Sequence, residues 1–115
     1  MSKREAVIVG VADLALKDGK VTTPMSVLQA QALCARDALA DAGIPMRAVD
    51  GLLTAGMWGV PGPGQLPTVT LSEYLGIVPR FVDGTNIGGS AFEAHVAHAA
   101  TAIEAAEAGH GITLA

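Results

Sequence analysis

The stretch GTNIGGSAFEAHVAHAATAIEAAEAGHGITLA, residues 84–115, decides how this chain is read. It opens on a polar turn and a glycine pair, Gly88-Gly89, continues as a long segment closed by Gly109, and ends on an apolar stub. At about 100° per residue, Phe92, Val96, Ala99 and Ile103 fall on one side of a helix over 90–108. Glu93, Glu104 and Glu107 occupy a narrow arc beside them, and most other positions are alanine. Small side chains over so much of a helix let other elements approach its backbone from more than one side. The pattern therefore predicts a helix held between layers, of which a sheet from this chain supplies one. On this reading a leucine at Ala97 or Ala105 overpacks a tight contact and costs about 1–3 kcal/mol.

The flanking sequence completes the alternation. Residues 6–12, AVIVGVA, form a nearly continuous β-branched apolar run, as expected of a strand buried on both faces in a parallel sheet. A loop over 14–20 follows, with a turn at Asp18-Gly19. Thr23-Pro24 has the form of a helix start, Thr as N-cap and Pro at the first helical position. Leu28, Ala32, Ala35, Leu39 and Ala42 then share one face, and Gly43 ends the helix. Residues 49–55 read as a second strand and 56–67 as a long Gly- and Pro-rich loop. A short helix over 70–75, a third strand over 80–82 and a final strand over 112–115 complete the order β-α-β-(loop, α)-β-α-β. Such alternation specifies an α/β fold with a mostly parallel sheet and right-handed crossovers.

Composition narrows the function classes. A chain of 115 residues is one domain, and 50% hydrophobic with 16% charged residues excludes intrinsic disorder. Only 3% are aromatic, so the apolar surface is spread over small side chains and invites burial against a second body. The net charge is −4 and the seven Lys and Arg residues are scattered, which argues against nucleic acid and against a membrane surface. The uncharged stretch 51–72 carries Pro61, Pro63 and Pro67 and is not a membrane helix. Lys3 and Arg4 precede the run at 6–11, but that run is short for a leader and lacks a small-residue cleavage site. The single cysteine, Cys34, excludes an internal disulfide and a cysteine-based zinc cluster and fits a cytoplasmic protein.

Four segments in order resemble the N-terminal part of the thiolase superfamily. They are AVIVGVADLAL (6–16), TPMSVLQAQALCARDALADAGI (23–44), AVDGLLTAG (48–56) and the opening quotation (84–115). The similarity is to the lipid-transfer or sterol-carrier type and to thiolase-like aldolases. It implies a layered α/β fold with a small-residue central helix, of which 1–115 is an incomplete N-terminal domain. It also implies a coenzyme A thioester as substrate with no resident cofactor, a homodimer, and in some relatives a small acyl-CoA-binding partner protein. The intact protein is then an acyltransferase or a retro-aldol C–C lyase, and this chain alone is inactive, because the family's His-, Cys- or Tyr-bearing loops belong to its second half. Aligned on Ser90, the family's nucleophilic cysteine position holds Gly88, and glycine forms no acyl-enzyme; this favours non-thiolytic chemistry.

The candidate substrate-binding residues are Gly88, Gly89 and Ser90, whose backbone N–H groups open a helix where the dipole favours negative charge. The plain alternative is a glycine turn that lets strand and helix pack closely. His95 and His98, three apart, suit a metal or acid–base site, or partial burial with hydrogen bonding; no third ligand is evident, so no metal site and no catalytic residue are assigned. Cys34, inside a helix, reads as a small hydrophobe, Asp13 as a loop cap or a strand-end site residue, and His110 as a surface cation. Met57 and Trp58 anchor a ligand or plug the core edge. Two other classes stay open: a non-catalytic dimerisation or assembly subunit, and a small nucleotide-binding module, although the loop lacks the Gly-x-Gly-x-x-Gly spacing.

Overall fold

The computed structural model describes residues 5–55, 66–105 and 111–115; Met57, Trp58 and His110 lie outside them. A hairpin comes first, β1 (Leu16–Lys17) against β2 (Lys20–Val21), turning through Asp18 and Gly19 at φ 52° and 75°. Two successive left-handed residues make the hairpin-type turn that an Asp-Gly pair favours. Sequence periodicity reads this as a plain loop, because strands of two residues carry no alternation.

Helix α1 spans Val27–Ala42. Its N-cap is Ser26 and not Thr23. The Gln29 amide donates to Ser26 Oγ at 3.1 Å, and the Ser26 amide donates to Gln29 Oε1 at 2.9 Å. This reciprocal box satisfies two free donors and outcompetes the Thr-Pro start. Gly43 closes the helix in the left-handed region at φ 72°, as expected. Strand β3 (Gly51–Leu53), helix α2 (Pro67–Leu75), strand β4 (Phe81–Asp83), helix α3 (Ala91–Ala105) and strand β5 (Thr113–Leu114) follow. The three strands form a parallel sheet in the order β4-β3-β5.

Gly51, Leu52 and Leu53 are all buried, so the middle strand is covered on both faces. Leu52, 2% exposed, joins Leu39, Val49, Leu71 and Ile77 in the core under α1 and α2. Alternation turns Leu53 to the opposite face, and α3 packs against β3 and β4 through buried Ala91, His95 and Ala99. That row is displaced from the side expected from periodicity. Phe92 and Val96 point outward and are exposed, as are Ala97 and Ala105. The small residues at 91 and 99 take the inner position because they let the helix axis approach the strands. One flank of α3 is thus covered by this chain's sheet and the other is bare.

The largest departure is at 6–12, which forms no strand. Both neighbours of β3 are already in place, β4 on one side and β5 on the other, and the run has no ladder among the described residues. It lies beside α1 instead. The Val11 amide donates to Asp41 Oδ2 at 3.1 Å, and Gly10 sits so close that a Cβ there would lie 2.2 Å from the Ala38 carbonyl oxygen. Val7, Ile8 and Val11 are left 70%, 71% and 71% exposed.

Leu52→Ala should cost about 2–5 kcal/mol in denaturant unfolding, by lost transfer energy and a residual cavity. Ala97→Leu should stay within about 0.5 kcal/mol of the parent, since its position is open. A large loss at Ala97 would mean that the bare flank is covered in solution.

Candidate functional site

The C-terminal ends of β3 and β4 lie side by side, where open parallel sheets place their ligands. The Thr54 amide donates to the Asp83 carbonyl at 3.1 Å, which locks the two strand ends together. The connection 84–90 rises from Asp83 into α3, and three side chains shape it.

Asp83 is the first. Its Oδ1 accepts from the Thr85 amide at 2.8 Å and from the Thr85 hydroxyl at 2.6 Å. Its Oδ2 meets His98 Nδ1 from α3 in a short contact. Burial pushes the Asp83 carboxyl up, but the Thr85 bonds and then the His98 ring outweigh it and hold it below its ordinary value.

His95 is the second. It is fully buried, and its Nε2–H donates to the Thr85 carbonyl at 2.7 Å. The Phe92 ring stands edge-on to it at a centroid distance of 6.1 Å. With Nε2 donating, Nδ1 carries a lone pair, and that atom has no hydrogen-bond partner among the described residues. Thr85 is therefore gripped from below by Asp83 and from the side by α3.

Asn86 is the third. Its Nδ2 donates to the Ala55 carbonyl at 3.2 Å across to the end of β3, and its Oδ1 accepts from the Gly88 amide at 3.2 Å. Gly88 then takes φ 93°, in the left-handed region that favours glycine, and its carbonyl accepts from the Ala91 amide at 3.0 Å to begin α3. Gly89 and Ser90 are exposed, and a Cβ at either glycine would meet nothing within 4 Å. The three residues singled out from sequence thus sit together in open space at the mouth of the sheet. The plain glycine-turn role is also present, through the positive φ of Gly88.

The other candidates separate. His95 and His98 share a helix but not a partner: one is buried on Thr85, the other half-exposed on Asp83. Among the described residues no three His, Cys, Asp or Glu side chains come together as a metal would need. Cys34 is partly buried, and its thiol is pushed up by burial and then by Asp13 and Asp37. Asp13 caps its own loop, accepting from the Leu14 amide at 2.8 Å; it is not at a strand end, because 6–12 is not a strand. Asp83, Thr85 and Asn86 were legible from sequence only as turn residues. An Asp-x-Thr spacing closing a strand, with histidines a short way into the next helix, is the signal that would have found them.

No protein-family model matches the chain, and no curated protein matches it closely enough to count. Among solved structures the chain resembles Xanthomonas campestris OleA, a thiolase-superfamily enzyme, in a crystal structure bound with cerulenin. The TM-score is 0.57 at 22% identity, over 73% of this chain and 25% of that one, so the match covers about a quarter of OleA. At that identity the likeness concerns the fold: a thiolase-like α/β arrangement, corresponding to the N-terminal part.

Two substitutions test the site's wiring. His95→Ala removes the Thr85 bond and opens a cavity, so it should cost about 2–4 kcal/mol in thermal or denaturant unfolding. Asp83 titrates below its unfolded value, so its contribution is present above the ordinary carboxylate range near pH 4 and disappears as pH falls through the folded value. Asp83→Asn should therefore be less stable than the parent at neutral pH, with a gap that narrows below about pH 4 in acid unfolding curves.

Proposed function

We propose that this chain, which carries a thiolase-like fold, is part of a protein acting on acyl-CoA thioesters. The observation that carries the reading is the open mouth formed by Gly88, Gly89 and Ser90 at the start of a 15-residue helix, beside the ends of two parallel strands. The Gly88, Ala91 and Ala94 amides are taken by Asn86 Oδ1 and by the Gly88 and Ser90 carbonyls, which leaves the Gly89, Ser90, Phe92 and Glu93 amides as the donors for a thioester carbonyl as it becomes an oxyanion or enolate.

Gly88 shapes the chemistry. On our reading of the resemblance to thiolases it takes the place of their nucleophilic cysteine, and its φ of 93° is a backbone reason for glycine. A cysteine here has room but pays for a left-handed conformation, on the order of 1–2 kcal/mol. Chemistry without an acyl-enzyme follows, and retro-aldol C–C cleavage of a thioester is the reaction class that needs an enolate site but no nucleophile. Acyl transfer through a nucleophile elsewhere in a longer protein is the related option. The coenzyme A thioester serves as substrate, with no resident cofactor.

A second reading, a dimerisation or assembly subunit, is favoured by the exposed apolar surface at Val7, Ile8 and Val11 and by Phe92 and Val96 on the bare flank of α3. The two readings are compatible if the thioester site belongs to a homodimer.

Titration of the 15N-labelled chain with acetyl-CoA should shift the amide resonances of 88–91 at millimolar ligand. Silence there, with no heat of binding, sinks the thioester reading. Sedimentation over a wide concentration range should show self-association; a clean monomer throughout removes the homodimer.

A further inference from the structure

We propose that Asp18-Gly19, at the tip of the hairpin, is a self-modification site at which the folded chain converts aspartate to isoaspartate, while the fold protects its two other Asp-Gly pairs. The inference is independent of the thioester reading.

The sequence contains the Asp-Gly dipeptide three times, at 18–19, 50–51 and 83–84. The chemistry is local to the pair. The glycine amide nitrogen attacks the aspartate Cγ and a C–N bond forms. The amide proton and the carboxyl OH leave together as water, and a five-membered imide results. Water then adds to either imide carbonyl. Opening at Cγ restores aspartate. Opening at the former main-chain carbonyl leaves the link to glycine running through Cβ and Cγ, which is isoaspartate. One water is lost and one gained, so no other reactant is consumed and the mass is unchanged. Glycine permits the ring because it has no Cβ to crowd it. The dipeptides are identical, so what separates them is whether the carboxylate, the aspartate carbonyl and the glycine amide are free to turn toward ring closure.

At Asp50-Gly51 all three groups are taken. The carboxylate accepts from the Gly111 and Ile112 amides at 3.1 and 2.9 Å, and the carbonyl accepts from the Arg80 and Phe81 amides at 2.7 and 3.1 Å. The Gly51 amide donates to the Ile112 carbonyl, and a Cβ on Gly51 would lie 2.5 Å from Thr113 Oγ1. At Asp83-Gly84 the carboxylate is held by Thr85 and His98, and the carbonyl accepts from the Thr54 amide at 3.1 Å. Ring closure at either pair first has to break the bonds that align the sheet.

Asp18 and Gly19 are both exposed. Among the described residues the Asp18 carboxylate and carbonyl and the Gly19 amide have no hydrogen-bond partner. A Cβ on Gly19 would meet nothing within 4 Å, so the turn has room for the imide. The consequence falls on the hairpin. A two-residue loop sets the Leu16–Val21 and Lys17–Lys20 pairs, and isoaspartate adds one main-chain carbon to that loop. Strands β1 and β2 have two residues each, all exposed, so no buried face restores the pairing.

The test ages the full 115-residue chain near neutral pH and body temperature, folded and in urea. Isoaspartate is mapped by peptide separation and by labelling with an isoaspartyl methyltransferase. In urea the three sites should convert to comparable extents. In the folded chain Asp18 should convert at least about tenfold faster than Asp50 or Asp83, whose reaction waits for local opening of the sheet. Asp18→Asn keeps a residue type that suits the turn. It should reach the same imide faster, with loss of ammonia, because the amide carries no negative charge to repel the attacking nitrogen. The isoaspartyl chain should lose the cross-strand proton contacts between Lys17 and Lys20. Conversion of Asp50 or Asp83 as fast as Asp18 in the folded chain overturns the proposal. So does an unconverted Asp18 in the folded chain beside converted sites in urea, or no isoaspartate in either. Hairpin contacts that persist in the isoaspartyl form overturn its structural consequence.

Discussion

Asp50 holds the sheet together at its base. The amides of Asp50 and Gly51 both donate to the Ile112 carbonyl, at 2.9 and 3.1 Å. The Asp50 carbonyl accepts from Arg80 at 2.7 Å and from Phe81 at 3.1 Å. Its carboxylate accepts from the Gly111 and Ile112 amides at 3.1 and 2.9 Å. One residue before the middle strand thus sets where both outer strands enter. Strands of two and three residues bring few ladder bonds of their own, so their alignment depends on this anchor and on the burial of Leu52 and Leu53 behind it. The mouth of the sheet inherits that alignment: Thr54 meets Asp83 only because β3 and β4 start together.

The connection after β4 shows how a glycine-rich loop is made rigid without side-chain bulk. Thr85 and Asn86 are each bonded on two sides, to Asp83 and His95, and to Ala55 and Gly88. Gly88 then turns through a conformation few other residues adopt cheaply. The result is a turn held in place from both ends, with open space over Gly88 and Gly89.

Two apolar surfaces of this chain stand open among the described residues. The run at 6–12 is as apolar as a central strand but lies outside the sheet, and α3 leaves Phe92 and Val96 bare. Both leave apolar side chains in water. The chain corresponds to about a quarter of OleA.

Local signals were sufficient for much of this. The helical periods, the glycines that close the first two helices and the short apolar segments at 49–55 and 80–82 follow from short-range sterics and hydrogen bonding, and they specified the α/β alternation and the parallel sheet. What lay beyond them was competition between distant partners. The apolar run at 6–12 reads as a buried strand from its own residues, but it lies against α1 through Gly10 and Val11 and pairs with no strand among the described residues. The inner face of α3 was equally open from sequence, because alanine fits any side; the sheet chose Ala91, His95 and Ala99. The bonds from His95 to Thr85 and from His98 to Asp83 join residues 10 and 15 apart through a reversal of the chain. Only the packing of α3 on β4 brings those groups within reach, and no pattern of residue types encodes that distance.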